Sequence, residues 1–322
     1  MSLSLFIFLA CALSAQANTV QLRQKFKDTL LVVKINYLPY NTTFTDPTDP
    51  TWNATTIDVL RMHYSFYGHL FPQQVVYLPW NESEFAHFEE NNAAFYRLQG
   101  RFIRSASIDS TDGMLIYKTL VHAMSIMSSY GGYFFKHEDM AINMPALLPL
   151  DKNSIWSQQY TMTDLGAKFE NASSHPWYWW NSEYGTSALK NLLDANDNFG
   201  KRVKECTGDK HVWASGFSDF LYVPASAVDN FRLIMPMFAK ARVFLEIATP
   251  MFVECFHTGT RVALSGTYRG GAERLATDGL RELCLVQGEN ATLCHPIMLY
   301  SGSEAETVMW IKTNVTINGD LY

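Results

Sequence analysis

The apolar positions of the chain fall into a few unbroken runs and several helical stripes. Thr29 to Tyr37 (TLLVVKINY) is almost continuously apolar, and Gln74 to Leu78 is a second such run. Runs without alternation predict strands buried on both faces, as in a parallel sheet. Between them lies a loop from Asn41 to Asn53. Ile57, Leu60, Tyr64 and Tyr67 then recur at helical spacing until Gly68, and Phe71-Pro72 turns the chain. Strand, helix, strand predicts a βαβ unit with a right-handed crossover.

Further along, Met114 to Met127 carries apolar residues at 116, 120, 123, 124 and 127, which predicts a helix. Tyr130-Gly131-Gly132 is expected to stop it through a left-handed glycine cap. Tyr133-Phe134-Phe135 predicts a short strand that ends in Lys136-His137-Glu138-Asp139. Ligands of open α/β sheets bind beyond the carboxyl ends of the strands, so this polar end is well placed for chemistry. Residues 150 to 215 read as irregular and aromatic around His175-Pro176-Trp177-Tyr178-Trp179-Trp180. Asp219 to Val223 predicts a strand stopped by Pro224. A helix from Ala225 to about Met235 should kink or end at Pro236, and Val243 to Phe256 predicts another helix with Glu246 near its start. The C-terminal quarter is patterned only at Pro296–Leu299 and Met309–Ile311, and no repeat or Pro/Gly-rich linker divides the chain.

Composition narrows the class. Of 322 residues 48% are hydrophobic, 14% aromatic and 17% charged, the last against roughly 25% in ordinary soluble domains. The net charge of −6 excludes a dedicated nucleic-acid binder, which needs a basic stripe. Leu3 to Leu13 is apolar and precedes Ala15-Gln16-Ala17, a small-x-small pattern. The segment 1–17 therefore reads as a cleaved signal peptide, too short for a bilayer span of about 20 residues, and no other spanning run is seen. Four cysteines remain beyond it, Cys206, Cys255, Cys284 and Cys294, which in an oxidising compartment predict two disulfides with three possible pairings. Asn41, Asn53, Asn81, Asn171, Asn290 and Asn314 each head an N-glycosylation sequon. Glycan cover would solubilise a surface so poor in charge. The implied location is the secretory pathway: Golgi or ER lumen, or outside the cell.

Four constellations carry candidate chemistry. His137, Glu138 and Asp139 offer carboxylate and imidazole ligands to a hard divalent cation such as Mn²⁺ or Mg²⁺, although adjacent acids equally form solvated turns. His295, in Cys294-His295-Pro296, completes such a set if the fold brings it close. Glu246 lies among Phe244, Leu245, Ile247 and Ala248. Desolvation of a carboxyl raises its pKa and suits it to accept a proton near neutral pH, whereas the helix dipole would favour its charge. Trp177, Trp179 and Trp180 present indole faces for sugar rings. No P-loop Lys follows Gly266–Gly271, and no G-x-S-x-G elbow occurs.

In order along the chain these pieces resemble a nucleotide-sugar-dependent glycosyltransferase of the GT-A type. Gly131-Gly132-Tyr133-Phe134-Phe135-Lys136-His137-Glu138-Asp139 is similar to the strand that ends in the family's DxD metal motif, with His137 at its first position. Gly216 to Pro224 resembles the acceptor-side strand, which places Asp219 with Trp177, Trp179 and Trp180 as acceptor contacts. Glu246 stands near the family's general base, and His295 resembles the C-terminal His that reaches back to the metal. The resemblance implies an α/β fold: a Rossmann-related mixed sheet flanked by helices in one large domain, 18–322. Its nucleotide-binding half would be about 28–145 and its acceptor-side half about 146–310. It implies a metal set of Asp139, Glu138, His295 and His137, a UDP- or GDP-sugar donor, and a glycan or glycoprotein acceptor. A catalytically inactive glycan-binding glycoprotein of the same fold is the second reading, motivated by His137. A two-carboxylate glycoside hydrolase is the third.

Overall fold

Strand β1 (Thr29–Lys34) buries all six of its residues, as its unbroken apolar run requires. The structure is a computed structural model that describes residues 17–36, 43–45, 53–55, 60, 63–64, 67–91, 100–110, 114–166, 178–268 and 292–295. Leu31 and Val33 enter one apolar cluster, while Leu30 and Val32 enter another on the opposite face, the period of two of a strand buried on both sides. The chain begins with α1 (residues 17–26), which adds Leu22 and Phe26 to the first cluster. A hairpin of β2 (Thr43–Thr45) and β3 (Asn53–Thr55) follows β1.

Next come β4 (Gln73–Leu78), α2 (Glu82–Asn91), β5 (Arg101–Arg104), α3 (Tyr117–Ile126) and β6 (Gly132–His137). β1 pairs in parallel with both β4 and β6, and β4 with β5. The two strands of the predicted βαβ unit pair in parallel, Leu30 opposite Gln73 through Lys34 opposite Tyr77; most of the helix expected between them lies outside the described residues. The chain continues through β7 (Ala141–Ile142), β8 (Ile155–Gln158), β9 (Thr161–Asp164), α4 (Tyr178–Asn181), α5 (Thr186–Ala195), α6 (Asp197–Thr207), β10 (Val212–Ser215) and β11 (Phe220–Pro224). It ends, among the described residues, with α7 (Ala225–Ala241), α8 (Leu245–Met251), a π-helical turn Phe252–Phe256, β12 (Arg261–Leu264), β13 (Gly266–Tyr268) and β14 (Leu293–His295).

The central sheet has seven strands in the order β12-β8-β11-β6-β1-β4-β5. β11 runs antiparallel to both β6 and β8, so the sheet is mixed. The expected architecture, a mixed α/β sheet flanked by helices, is the one found. β13, β14 and β7 form a small second sheet, and β9 pairs with β10. Among the described residues no helix is long and apolar enough to cross a membrane.

Several local expectations are corrected. The helix α3 ends at Met127, whose N–H reaches the Ala123 carbonyl, and neither Gly131 nor Gly132 has a positive φ. Gly132 is demanded by contact instead, and Gly131 lies close against the Asp28 side chain. A Cβ on Gly131 would lie 2.2 Å from Asp28 Oδ2, and one on Gly132 2.3 Å from the Tyr222 hydroxyl. Among its described residues the stretch 150–215 is not irregular: it holds β8, β9, α4, α5, α6 and β10. Asn196 caps α6 by accepting from Phe199 N–H at 3.0 Å, and Gly208 closes the helix in the left-handed region. Pro236 does not end α7, which runs on to Ala241. Proline removes one helical bond, but Phe231, Met235 and Phe238 are buried on both sides of it, and their packing carries the helix past the break. The single helix expected over Val243–Phe256 is α8 followed by the π-helical turn. One of the three cysteine pairings includes the bridge that forms, Cys206–Cys255, with Cα atoms 5.4 Å apart. Cys284 lies outside the described residues.

Candidate metal and transfer site

β6 sits between β1 and β11, and its apolar residues Tyr133, Phe134 and Phe135 are buried in the sheet. Its last residue, His137, therefore emerges where the carboxyl end of β1 and the beginning of β11 meet. Lys34 is the register partner of His137 on one side, and the His137 N–H donates to the Asp219 carbonyl at 2.8 Å on the other. The ladder continues for one more residue, since Glu138 N–H donates to the Lys34 carbonyl at 3.0 Å. Met140 N–H then closes a turn onto the His137 carbonyl, which turns Asp139 out of the sheet.

The side chains at this turn form a tight polar group. His137 Nδ1 lies 2.5 Å from Asp139 Oδ1, and Nε2 lies 2.9 Å from Glu138 Oε2. Burial opposes a charge on the imidazole, but Asp139 and Glu138, one at each nitrogen, hold its pKa well above the usual histidine value. Glu138 is turned back toward β1, where its Oε1 accepts from Asn36 N–H at 2.9 Å. Asp219, delivered by the β10–β11 loop, brings a third group. His137, Asp139 and Asp219 each offer one ligand atom, all within 4.8 Å of one another. Asp219, expected as an acceptor contact, thus stands beside His137 and Asp139 of the expected metal set, while Glu138 is not part of this trio.

Glu246 lies in the first turn of α8 and is partly exposed. Its backbone carbonyl accepts from Gly216 N–H at 2.9 Å, so the residue is anchored to the loop that carries Asp219. Pro250 makes this possible. A residue with an N–H at 250 would bond the carbonyl four positions back, and proline leaves that carbonyl for Gly216. The backbone of His295 lies in β14, which pairs antiparallel to β7 with Cys294 opposite Ala141. One step further along this register sets His295 opposite Met140, the residue after Asp139; its side chain is outside the described residues.

Trp180 is corrected outright. It is 1% exposed and packs in the apolar cluster with Leu189 and Leu192 rather than at a cleft. Trp177 and the side chain of Trp179 lie outside the described residues, as do Asn41, Asn171, Asn290, Asn314, the side chain of Asn53 and the segment 1–16.

Sequence reasoning passed over Lys136. It is fully buried, and its Nζ lies 2.8 Å from the His137 carbonyl, 3.5 Å from the Glu138 carbonyl and 3.1 Å from His63 Nε2. The same nitrogen stands 4.6 Å above the Tyr67 ring. Burial pushes the Lys136 pKa down to about 7 against the pull of Glu138 and Asp139. Burial, then Lys136, keeps His63 well below its ordinary value and hence neutral. A lysine at the end of an unbroken apolar run was the available signal, because such a charge is tolerated only when it is hydrogen-bonded.

No family model matches the chain. The chain is similar to the probable glycosyltransferase STELLO2 of Arabidopsis thaliana, 24% identical over 152 residues. That alignment covers 47% of this chain and 19% of that protein, so the chain spans about a fifth of the curated relative it matches. The similarity supports a glycosyltransferase-like relationship.

Proposed function

We propose that the chain transfers a sugar from a UDP- or GDP-sugar to a glycan or glycoprotein acceptor in the secretory pathway, with a divalent cation at the His137 trio. The observation that carries this reading is the meeting of His137, Asp139 and Asp219 at the carboxyl end of a mixed α/β sheet. The glycosyltransferase name of the distant relative agrees with it.

The donor set fits Mn²⁺ or Mg²⁺: two carboxylates and an imidazole suit a hard or borderline cation. When bound, the cation supplies Lewis-acid stabilisation of the departing diphosphate. Glu138 stands against His137 Nε2 on one side, and the ring nitrogen that serves as a ligand must carry no proton. Lys136 fixes the carbonyls of the turn from beneath. Glu246 takes the acceptor hydroxyl proton as the anomeric bond to the diphosphate breaks and the new glycosidic bond forms.

Titration calorimetry with Mn²⁺ and UDP, repeated with GDP, tests the assignment. Asp139→Ala is expected to remove metal-dependent nucleotide binding while the circular dichroism of the fold is kept. Glu246→Gln is expected to leave that binding intact and lower transfer by at least about 100-fold. Full turnover in Glu246→Gln sinks the base assignment.

One observation favours the second reading, a glycan-binding protein without transfer. Glu138 and Asp139, one at each nitrogen of His137, favour its charged form, and a charged imidazole competes with a cation for these acids. Glycan binding without any Mn²⁺-dependent nucleotide binding would decide for it.

A further inference from the structure

Asn81 heads the sequon Asn81-Glu82-Ser83 and is also the residue that starts α2. Its Oδ1 accepts from Glu84 N–H at 3.0 Å and from Ser83 Oγ at 2.8 Å. Glu84 answers by accepting from Asn81 N–H through Oε2 at 2.9 Å. This is a reciprocal capping box, with asparagine in the place of serine. Every hydrogen bond of the Asn81 carboxamide uses its oxygen, and the residue is exposed. A planar carboxamide whose oxygen faces the helix turns its nitrogen away, toward solvent.

We propose that Asn81 is an N-glycan attachment site whose side chain caps α2 and carries the oligosaccharide at the same time. The two roles use different atoms. Asn81 Nδ2 forms the new bond to the anomeric carbon of a lipid-diphosphate-linked oligosaccharide. The anomeric bond to the diphosphate breaks, the lipid diphosphate leaves, and an Nδ2 proton passes to the base of the cellular oligosaccharyltransferase. Oδ1 keeps both of its acceptor roles, so folding onto the cap is compatible with an occupied sequon. Asn81 lies three residues beyond β4, two strands from β6. The glycan would stand at the rim of the sheet end that carries His137. This inference does not depend on the proposed transfer reaction.

The test expresses the full chain in eukaryotic secretory cells and treats it with peptide N-glycosidase in oxygen-18 water. The tryptic peptide Met62–Arg97 contains no other sequon, so label within it reports Asn81 alone. Labelled Asp at 81 is expected. Ser83→Ala and Asn81→Asp are each expected to lose one glycan's mass. Asn81→Asp retains a capping oxygen and should melt with Ser83→Ala, whereas Asn81→Ala loses glycan and cap together and should melt lower than both. An unlabelled peptide from the secreted chain overturns the proposal, as does a chain that stays in the cytosol. Equal melting of Asn81→Ala and Asn81→Asp overturns the dual role.

Discussion

Lys136 shows how a single side chain can set the behaviour of a site it never enters. Its pKa of about 7 in the fold lies far below the ordinary lysine value near 10.5. Between those values the unfolded chain holds a proton that the folded chain lacks, so stability rises with pH across that window. The slope approaches about 1.4 kcal/mol per pH unit where the difference is a whole proton. Urea midpoints at pH 7.5 and 9.5 are expected to climb for the native chain and to stay flatter for Lys136→Met; parallel curves would contradict the assignment. At this scale His137, Glu138 and Asp139 were legible, because they form one string at the end of an apolar run. Asp219 was legible as a site residue but not as their neighbour, since only the strand pairing brings it there. Trp180 misled because four adjacent aromatics cannot all be buried, and nothing local says which one the helical turn selects.

Among the elements, strands were read best. An unbroken apolar run of six residues has few alternatives once both of its faces must be buried. The helices α5 and α6 were overlooked although Leu189 and Leu192, then Phe199 and Val203, keep helical spacing between Asn196 and Gly208. The neighbouring aromatic string drew the reading toward a loop. Prolines were given too much weight at 236, where packing overrides the lost bond, and too little at 250. Pro250→Ala restores an N–H that competes with Gly216 for the Glu246 carbonyl. The expected result is faster amide exchange at Gly216, about tenfold for a bond worth near 1.4 kcal/mol. Unchanged exchange at Gly216 would show that the proline does not hold this junction.

For the whole molecule, much of the aromatic content among the described residues belongs to the core: Trp156, Trp180 and Trp213 are among its largest fully buried side chains. The sheet's order could be anticipated only in its parallel half, where β1 and β4 are the two apolar runs read as consecutive strands of one unit. The reversed strand β11 depends on chain that lies far away in sequence, which periodicity does not report. The bridge Cys206–Cys255 closes a separation of 49 residues and fastens α6 to the π-helical turn after α8. Replacing both cysteines with serine is expected to lower stability by about 2–4 kcal/mol, read from urea midpoints under oxidising conditions. No change would mean that packing alone fixes this corner.

The antiparallel course of β11 also sets a schedule. His137 and Asp139 leave the ribosome long before Asp219, and the strand that carries Asp219 must reverse before it can lie beside β6. The emerging chain therefore holds only His137 and Asp139 at first, and the trio is complete only once Asp219 has followed. Non-local closure of this kind is slow compared with helix formation. If the trio holds a cation as proposed, a nascent chain arrested before Asp219 offers it one ligand fewer than the finished chain.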